Sequence, residues 1–286
     1  MPEYVIITPV KNEMHHLPEI INSVVNQEKQ PRLWVIVDGN SDDGSFEMLQ
    51  AYTKKYPWIH PLKQRAQGRT SHESVSIAVF EAYDYVERYC YAYKLKYDYI
   101  WTTDGDQLIG RNVCGGVIAK CNEDPTIGAA SGSIYNPDGT KDTYPNGELP
   151  NKRVYPRKAI DKIGGFPITK YSYDTVLLAK LRIAGYNIVT FDKYMITNLR
   201  TDSGIERDMW KSHVTFGRAR WYLGYSIPLV IAGSGYLIMK GQFKKAVGIF
   251  YGYLVDRIHN EEQIEDEDIK RHFGKDRLKE VLGLKK

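Results

Sequence analysis

Residues 97–112 read Tyr-Asp-Tyr-Ile-Trp-Thr-Thr-Asp-Gly-Asp-Gln-Leu-Ile-Gly-Arg-Asn. The first seven are rich in aromatic and β-branched side chains, which is typical of a short buried strand. This strand leads directly into Asp104 and Asp106, which a single glycine separates. Because ligands of open α/β sheets bind at the carboxyl ends of the strands, these two acids mark a predicted functional edge.

The Asp104 and Asp106 pair allows two interpretations. Carboxylates at positions i and i+2 can face one hard cation, which completes its coordination with substrate phosphates. Aspartate and glycine are also common in ordinary turns. From this stretch alone, a site for metal and diphosphate and a simple polar turn are equally open.

The residues before this stretch repeat a pattern of strand, polar loop and helix. Apolar strand residues at 4–8 precede a helix with periodic apolar positions over 17–25, and a second strand at 33–37 precedes another helix over 46–52. Two such units predict parallel strands joined by right-handed crossovers. The sequence therefore predicts an α/β fold with a mixed, mostly parallel central sheet flanked by helices.

The chain continues with a predicted short strand at 59–62, helices at 74–89 and 113–121, and a strand at 126–133. Residues 134–151 are dominated by Pro, Gly, Asn and Asp, which predicts a long loop. Loops of this length often have a functional role.

A second polar feature begins the helix that we predict over residues 175–184. Residues 159–167 read Ala-Ile-Asp-Lys-Ile-Gly-Gly-Phe-Pro, and Asp174 follows just before the helical pattern. An aspartate at a helix N-terminus accepts hydrogen bonds from free backbone amides. Position alone therefore favours a capping role for Asp174 over a catalytic one.

Four motifs, taken together and in this order, resemble the family 2 glycosyltransferases of GT-A fold over residues 5 to about 190. They are Thr-Pro-Val-Lys-Asn-Glu at 8–13, Val-Asp-Gly-Asn-Ser-Asp-Asp-Gly-Ser at 37–45, Thr-Asp-Gly-Asp at 103–106, and Ile-Gly-Gly-Phe at 163–166 followed by Asp174 and Arg182 to Tyr186. The resemblance implies a Rossmann-like GT-A catalytic domain at residues 1–200. It also implies a nucleotide diphosphate sugar donor, Mg²⁺ or Mn²⁺, and inversion at the anomeric carbon.

The resemblance assigns roles to individual residues. It implies that Asp106 binds metal, that Asp174 is the general base, and that the donor nucleotide is bound by Pro9, Asn12, Glu13, Asp38 and Asp104. This division of labour is chemically coherent, because an attacking hydroxyl needs a proton acceptor and a departing diphosphate needs cationic charge. Arg69 is a further candidate for donor binding because it lies in a basic loop. For Arg69, and for Arg65 in the same basic loop, the alternative is an ordinary solvated side chain.

The chain departs from the family pattern at several positions. Asp38 is followed by Gly39 instead of a second acid, so the resemblance does not choose among UDP, GDP and dTDP. Tyr173 precedes Asp174 where relatives often have glutamate, and Asn198 stands near the position of a histidine in many relatives. His213 lies further on, and a lone histidine is more often structural or solvated than a metal ligand.

Residues 201–286 predict a C-terminal helical extension. Residues 221–239 carry no charge and are about as long as a bilayer-crossing helix, but they include Pro228 and three glycines. A second apolar piece at 246–255 follows two lysines. Interfacial membrane contact through 221–255, a buried core helix and a spanning helix are the three alternatives. The aromatic residues and basic flanks favour the interfacial one.

Other features of the extension bear on the acceptor. Gly217-Arg218, Tyr222 to Tyr225 and Gly252-Tyr253 resemble the tail of family 2 enzymes that act in cell-surface polysaccharide or glycolipid assembly. This implies a glycan or lipid-linked acceptor. Residues 256–286 are charge-rich with helical apolar spacing, which predicts an amphipathic helix or helix pair covering the apolar segment.

Composition excludes some classes and places the protein. A net charge of +4, spread evenly over 286 residues, argues against a nucleic-acid partner. Three cysteines without metal-ligand spacing and no signal-peptide pattern predict a cytoplasmic protein. Interfacial contact through 221–255 would place it on the inner face of the cell membrane.

Two rival functions remain open. A sugar nucleotidyltransferase would carry a glycine-rich basic loop after the first strand, and residues 9–13 are not such a loop. A non-catalytic nucleotide-sugar-binding protein is compatible with Tyr173 in place of an acid. Acids at both Asp106 and Asp174 favour the enzyme.

Overall fold

A computed structural model describes residues 2–142, 153–200, 208–281 and 283 of the chain. Residues 2–200 contain one eight-stranded sheet in the order β3-β2-β1-β4-β7-β6-β8-β5. The strands are β1 (Tyr4–Val10), β2 (Leu33–Asp38), β3 (Ile59–Lys63), β4 (Tyr99–Thr102), β5 (Gln107–Ile109), β6 (Ile127–Tyr135), β7 (Arg153–Pro156) and β8 (Asn187–Asn198). Four strand pairs are parallel and three are antiparallel, which confirms the predicted mixed, mostly parallel sheet.

Helices cover both faces of the sheet, as predicted. One apolar core lies under α1 (Leu17–Val25), α2 (Ser45–Thr53) and α4 (Val113–Glu123). The other lies under α3 (Ser71–Ala92), α5 (Arg157–Lys162) and α6 (Tyr173–Ile183). The three cysteines are free and buried within these two cores.

Two strands differ from the sequence prediction. β5 follows the Asp-Gly-Asp loop at once, and β7 enters the middle of the sheet antiparallel to both β4 and β6. The predicted loop over 134–151 is wrong at its start, because β6 extends to Tyr135. Its later part, from residue 143, lies outside the described residues.

Residues 208–281 form a helical extension beside the sheet, as predicted for the end of the chain. Its helices are α7 (Met209–Tyr222), α8 (Ile227–Met239), α9 (Phe243–Ile258), α10 (Glu267–Arg271), a π-helical turn (His272–Asp276) and α11 (Arg277–Val281). Gly224, at φ +80°, lies in the turn that separates α7 from α8. The apolar stretch 221–239 is therefore split between two helices.

The glycines of the extension allow α7 and α9 to pack closely. An added Cβ would lie 2.1 Å from the carbonyl oxygen of Ile249 at Gly217, and 2.1 Å from that of Val214 at Gly252. Arg218 extends from α7 to the buried Asp256 of α9, with 3.5 Å between Nε and Oδ1. The Gly-Arg and Gly-Tyr pattern thus has a packing role in this structure.

Within the extension, apolar residues near the end of the chain are buried, whereas most of α8 is not. Of the α8 residues only Val230 and Ser234 are buried, so the interpretation of this segment as a buried core helix is wrong. Among the described residues, no helix combines the length and apolar character needed to cross a bilayer. Ile264, Ile269 and Phe273 pack with residues of α6 and α7. The end of the chain therefore covers the first residues of the apolar segment, Tyr222 to Tyr225, as expected, whereas most of α8 is not buried.

Candidate functional site

The site lies where β1, β2 and β4 end. These strands are parallel and adjacent, with Val10 opposite Asp38 and Ile7 opposite Thr102. The loops that follow them therefore meet at one edge of the sheet. They carry all three predicted polar motifs of the first half of the chain.

The first two loops are joined by reciprocal hydrogen bonds. The backbone N–H of Asn12 donates to the hydroxyl of Ser41 at 2.9 Å, and the N–H of Asp42 donates to Oδ1 of Asn12 at 3.1 Å. The N–H of Glu13 donates to the hydroxyl of Ser45 at 3.0 Å. Asn12 has φ +56°, a left-handed conformation that asparagine tolerates better than most residues. Asn12 and Glu13 thus belong to a pair of loops joined by hydrogen bonds, and Pro9 precedes them near the end of β1.

Asp38 ends β2 and is fully buried. Its Oδ2 accepts a hydrogen bond from the N–H of Ser41 at 3.0 Å. Its Oδ1 is buried and has no hydrogen-bond partner among the described residues. A buried carboxylate oxygen without a donor is costly, so it marks a place where a ligand N–H would be stabilised.

The Asp-Gly-Asp loop packs directly on the first loop. A Cβ at Gly105 would lie 2.9 Å from Cγ1 of Val10 and 3.1 Å from Cγ of Glu13. Glycine is therefore required here by close approach of the two loops. Asp104 is half-buried and Asp106 is buried, with its side chain 13% exposed.

Asp106 belongs to a cluster of charged side chains. Arg200, just beyond β8, donates from Nε to Oδ2 of Asp106 at 2.8 Å and from Nη2 to Oε1 of Glu13. His16 Nδ1 lies 2.8 Å from the other oxygen of Glu13. Burial raises the pKa of Glu13 above its usual value, although the bonds to His16 and Arg200 act in the opposite direction.

Asp174 lies in the first turn of α6, but it is not the capping residue. The N-cap position is held by Ser172, and its side chain makes no capping bond. The Asp174 carboxylate instead faces Arg153 of β7, with 3.8 Å between Oδ2 and Nη2. Arg153 is 1% exposed and Asp174 is 17% exposed. The capping explanation for Asp174 is therefore wrong, because Ser172 holds the N-cap position and the Asp174 carboxylate faces a buried cation.

Tyr173, the residue before Asp174, is buried. Burial, followed by the negative charges of Asp104 and Asp174, raises the pKa of the Tyr173 hydroxyl well above its usual value. The position where relatives often have glutamate is thus a neutral buried phenol. The charges of Asp104 and Asp174, which come from motifs about seventy residues apart in the sequence, both act on the pKa of this one hydroxyl.

The structure places Arg69 and Asn198 in other contacts. Arg69 contacts Glu73 of α3 and Glu262 near the C-terminus, the latter at 2.7 Å. A donor-binding role would require Arg69 to leave these partners. Asn198 accepts a hydrogen bond from the Gln107 side chain at 2.5 Å, which joins β8 to β5.

Sequence reasoning missed two arginines of the site, Arg153 and Arg200. Arg153 follows the loop-like stretch 134–151, and a four-residue strand gives no periodic signal. Arg200 lies two residues beyond the end of β8, where no periodic pattern indicates the direction of its side chain. Both arginines are brought to the acids by pairing between strands that are distant in sequence.

Comparison with known proteins identifies the class of fold. Residues 5–82 match the family model Glycosyl transferase family 2. No curated protein sequence matches the chain significantly. The mannosyltransferase PcManGT from Pyrobaculum calidifontis, in complex with GDP-Man and Mn²⁺, has a TM-score of 0.61 at 15% identity, over 91% of this chain and 88% of that chain.

Two further solved structures are similar. S. aureus TarS 1-349 in complex with UDP-GlcNAc has a TM-score of 0.56 at 14% identity, over 76% of this chain and 65% of that chain. GalNAc-T7 with UDP, GalNAc and Mn²⁺ has a TM-score of 0.52 at 13% identity, over 73% of this chain and 45% of that chain. This chain spans 39% of the TarS chain in another structure.

The structural similarity at these identities concerns the fold, which is the GT-A architecture. Together with the family match over residues 5–82, it confirms the resemblance to the family 2 glycosyltransferases. The matched segment contains the first two loop motifs, which carry Pro9, Asn12, Glu13 and Asp38.

Proposed function

We propose that this protein is an inverting, metal-dependent glycosyltransferase that moves a sugar from a nucleotide diphosphate sugar to a hydroxyl of a glycan or lipid-linked acceptor. The observation that carries the proposal is that β4, which leads into Asp104 and Asp106, pairs at Thr102 with Arg153 of β7, and Arg153 faces Asp174. A donor-binding acid and a proton acceptor would then act on the same sugar. Similar folds that bind GDP-Man or UDP-GlcNAc support this proposal.

Asp38 is the proposed contact for the nucleotide base. Its buried Oδ1 would accept a hydrogen bond from a ring N–H, such as N3–H of uracil or thymine or N1–H of guanine. Pro9, Asn12 and Glu13 would form the wall of the same pocket, and Asp104 would contact the ribose. CMP has no ring N–H to offer in its neutral form, so we expect it to bind more weakly.

Asp106 is the proposed metal ligand. The described residues contain no group of three or more His, Cys, Asp or Glu side chains that could hold a metal by themselves. A single carboxylate still fits Mg²⁺ or Mn²⁺, because these ions commonly take one or two carboxylates and complete their shell with phosphate oxygens and water. Bound there with the donor, the ion would offset the charge that develops on the departing diphosphate.

Asp174 is the proposed general base. It would take the proton of the acceptor hydroxyl as that oxygen attacks the anomeric carbon from the side opposite the diphosphate, which inverts the configuration. Arg153 faces this carboxylate, with 3.8 Å between Nη2 and Oδ2. Tyr173 stays protonated at neutral pH and cannot take this role.

A thermal-shift screen tests the proposal. The purified protein is measured with UDP, GDP, dTDP and CMP, each with and without Mn²⁺. A ligand that binds only the native state raises the melting temperature, so one nucleotide should stand out and should need the metal. Asp106→Ala should abolish the metal-dependent shift, whereas Asp161→Ala, a half-exposed acid on α5, should preserve it. No shift with any nucleotide would refute the proposal, and a shift without turnover would favour the non-catalytic binding protein.

We also propose that residues 221–255 contact an anionic membrane surface, which would present a lipid-linked acceptor from the inner face of the cell membrane. Residues 209–255 contain six lysines and arginines and no acid. Large apolar side chains are exposed on α8 and at the start of α9, including Ile231, Met239 and Phe243. Exposed apolar groups flanked by cations suit the headgroup region of anionic lipids.

Vesicle co-sedimentation tests this contact. We expect binding to vesicles that contain phosphatidylglycerol and weaker binding to pure phosphatidylcholine. Met239→Ser with Phe243→Ser should reduce binding, whereas Ile183→Ser, a change of an exposed apolar residue on α6, should not. Equal recovery with and without vesicles would rule the contact out.

A further inference from the structure

Arg200 is held between two acids of the donor site. The N–H of Leu199 donates to the carbonyl oxygen of Asp106 at 2.7 Å, which fixes the end of β8 against the Asp-Gly-Asp loop. From this position the Arg200 guanidinium donates hydrogen bonds to the carboxylates of Asp106 and Glu13 simultaneously. The side chain of Arg200 is 32% exposed, whereas those of Asp106 and Glu13 are 13% and 5% exposed.

This arrangement has a clear electrostatic reason. Two carboxylates that are largely removed from water repel each other, and the negative charge of Asp106 acts to raise the pKa of Glu13. A guanidinium with several donors in a planar fork can bond both acids together. The Arg200 guanidinium therefore already occupies one oxygen of Asp106, the carboxylate that we assign to the metal.

On the basis of the proposed function, we propose that Arg200 competes with the divalent ion for Asp106, so that metal binds well only together with the nucleotide. The diphosphate supplies further oxygens for the ion and also an alternative anionic partner for the guanidinium. Metal and nucleotide then strengthen each other's binding. This coupling is reciprocal by thermodynamic linkage.

Direct measurement of Mn²⁺ binding tests this role of Arg200. Free Mn²⁺ is quantified by electron paramagnetic resonance with the protein alone, and then with UDP or GDP. For Arg200→Gln without nucleotide we expect Mn²⁺ binding tighter by roughly 5- to 150-fold, the usual range of coupling between sites. The strengthening of Mn²⁺ binding by nucleotide should shrink in the same variant.

Two further variants complete the experiment. Arg200→Lys keeps a cation but not the fork, so its Mn²⁺ affinity should lie between those of the wild type and Arg200→Gln. Arg32→Gln removes a half-exposed arginine that pairs with Glu3 and should change nothing. If Arg200→Gln does not fold, the comparison of Arg200→Lys with the wild type decides.

The outcomes separate this inference from the proposed function. Mn²⁺ affinity that is unchanged or weaker in both Arg200 variants, while the wild type binds Mn²⁺ with nucleotide, overturns the competition alone. Absence of Mn²⁺ binding by the wild type with either nucleotide overturns the metal dependence and the competition together.

Discussion

The sheet region and the helical extension differ in which side chains they bury: the first buries charged groups, and the second exposes apolar ones. At the edge of the sheet, Glu13, Asp38, Asp106 and Arg153 are charged and buried. In the extension, α8 leaves most of its apolar side chains exposed. Among the described residues, eleven of the eighteen exposed large apolar side chains lie between Met209 and Ile258.

The contrast indicates what each region is built to contact. Buried charges are costly unless a partner offsets them, so their concentration at one edge points to a charged or hydrogen-bonding ligand. Exposed apolar groups are costly in water, so their concentration on one set of helices points to an apolar or interfacial partner. If each region has its own partner, substitutions in one region should leave the binding property of the other unchanged.

The largest effect is expected for Asp174→Asn. Removal of a general base typically lowers the rate by about 10²- to 10⁴-fold, and the amide cannot accept the proton. Turnover is measured with the donor identified by the nucleotide screen. Nucleotide binding should change little, because Asp174 is assigned to the acceptor side. Asp161→Asn serves as the control, and undiminished turnover of Asp174→Asn would remove the base assignment.

A smaller effect is expected for Asp38→Asn. The amide can still accept the N–H bond of Ser41, but it presents a donor or a weaker acceptor to the base. Loss of a hydrogen bond to a charged group corresponds to roughly 1–3 kcal/mol, which is about a 5- to 150-fold weaker nucleotide affinity. The melting temperature without nucleotide should stay equal or rise, because a buried charged oxygen without a partner is removed.

Isothermal titration with the preferred nucleotide and a melting curve together check Asp38→Asn. Asp42→Asn, an exposed acid in the same loop, is the matched control and should alter neither quantity. A variant that binds nucleotide as tightly as the wild type would show that Asp38 is a structural acid. The burial of Asp38 would then no longer support a ligand-binding role for the charged groups at the sheet edge.

Gly217→Ala tests the close contact between α7 and α9 in the extension. An added methyl would meet the carbonyl oxygen of Ile249 at 2.1 Å, so the α7–α9 contact must open. Overpacking of this kind costs about 1–3 kcal/mol, which should appear as a lower melting temperature. Gly233→Ala on α8 is the control: no atom lies within 4 Å of its Cβ, so it should be neutral or stabilising. Nucleotide affinity should be unchanged in both variants if the regions are independent.

Much of the sheet edge is predictable from the sequence. β1, β2 and β4 are apolar runs that end in polar loops, and parallel strands bring such ends together. Asp38, Asp104 and Asp106 are therefore near one another for a reason that local sequence carries. The same reasoning explains why Glu13 joins them, since its loop follows the adjacent strand β1.

Other features depend on contacts that local sequence does not specify. Arg153 reaches Asp174 because β7 inserts antiparallel between β4 and β6, and a four-residue strand leaves no period to detect. Arg200 reaches Asp106 through pairing of β8 with β5. Residues 221–239 form an uncharged run that is compatible with three environments. Only the turn at Gly224 and the position of α8 show that most of its side chains are exposed.

The smallest effect is expected for neutralised lysines at the exposed end of α8 and the start of α9. Each cation near an anionic surface contributes about 1 kcal/mol, so Lys240→Gln or Lys244→Gln should weaken binding to phosphatidylglycerol vesicles by roughly fivefold. The loss should shrink as ionic strength rises, because salt screens exposed charges. Lys54→Gln, an exposed lysine after α2, should leave vesicle binding unchanged. Equal losses in all three variants would mean that net charge, and not this face of the extension, attracts the membrane.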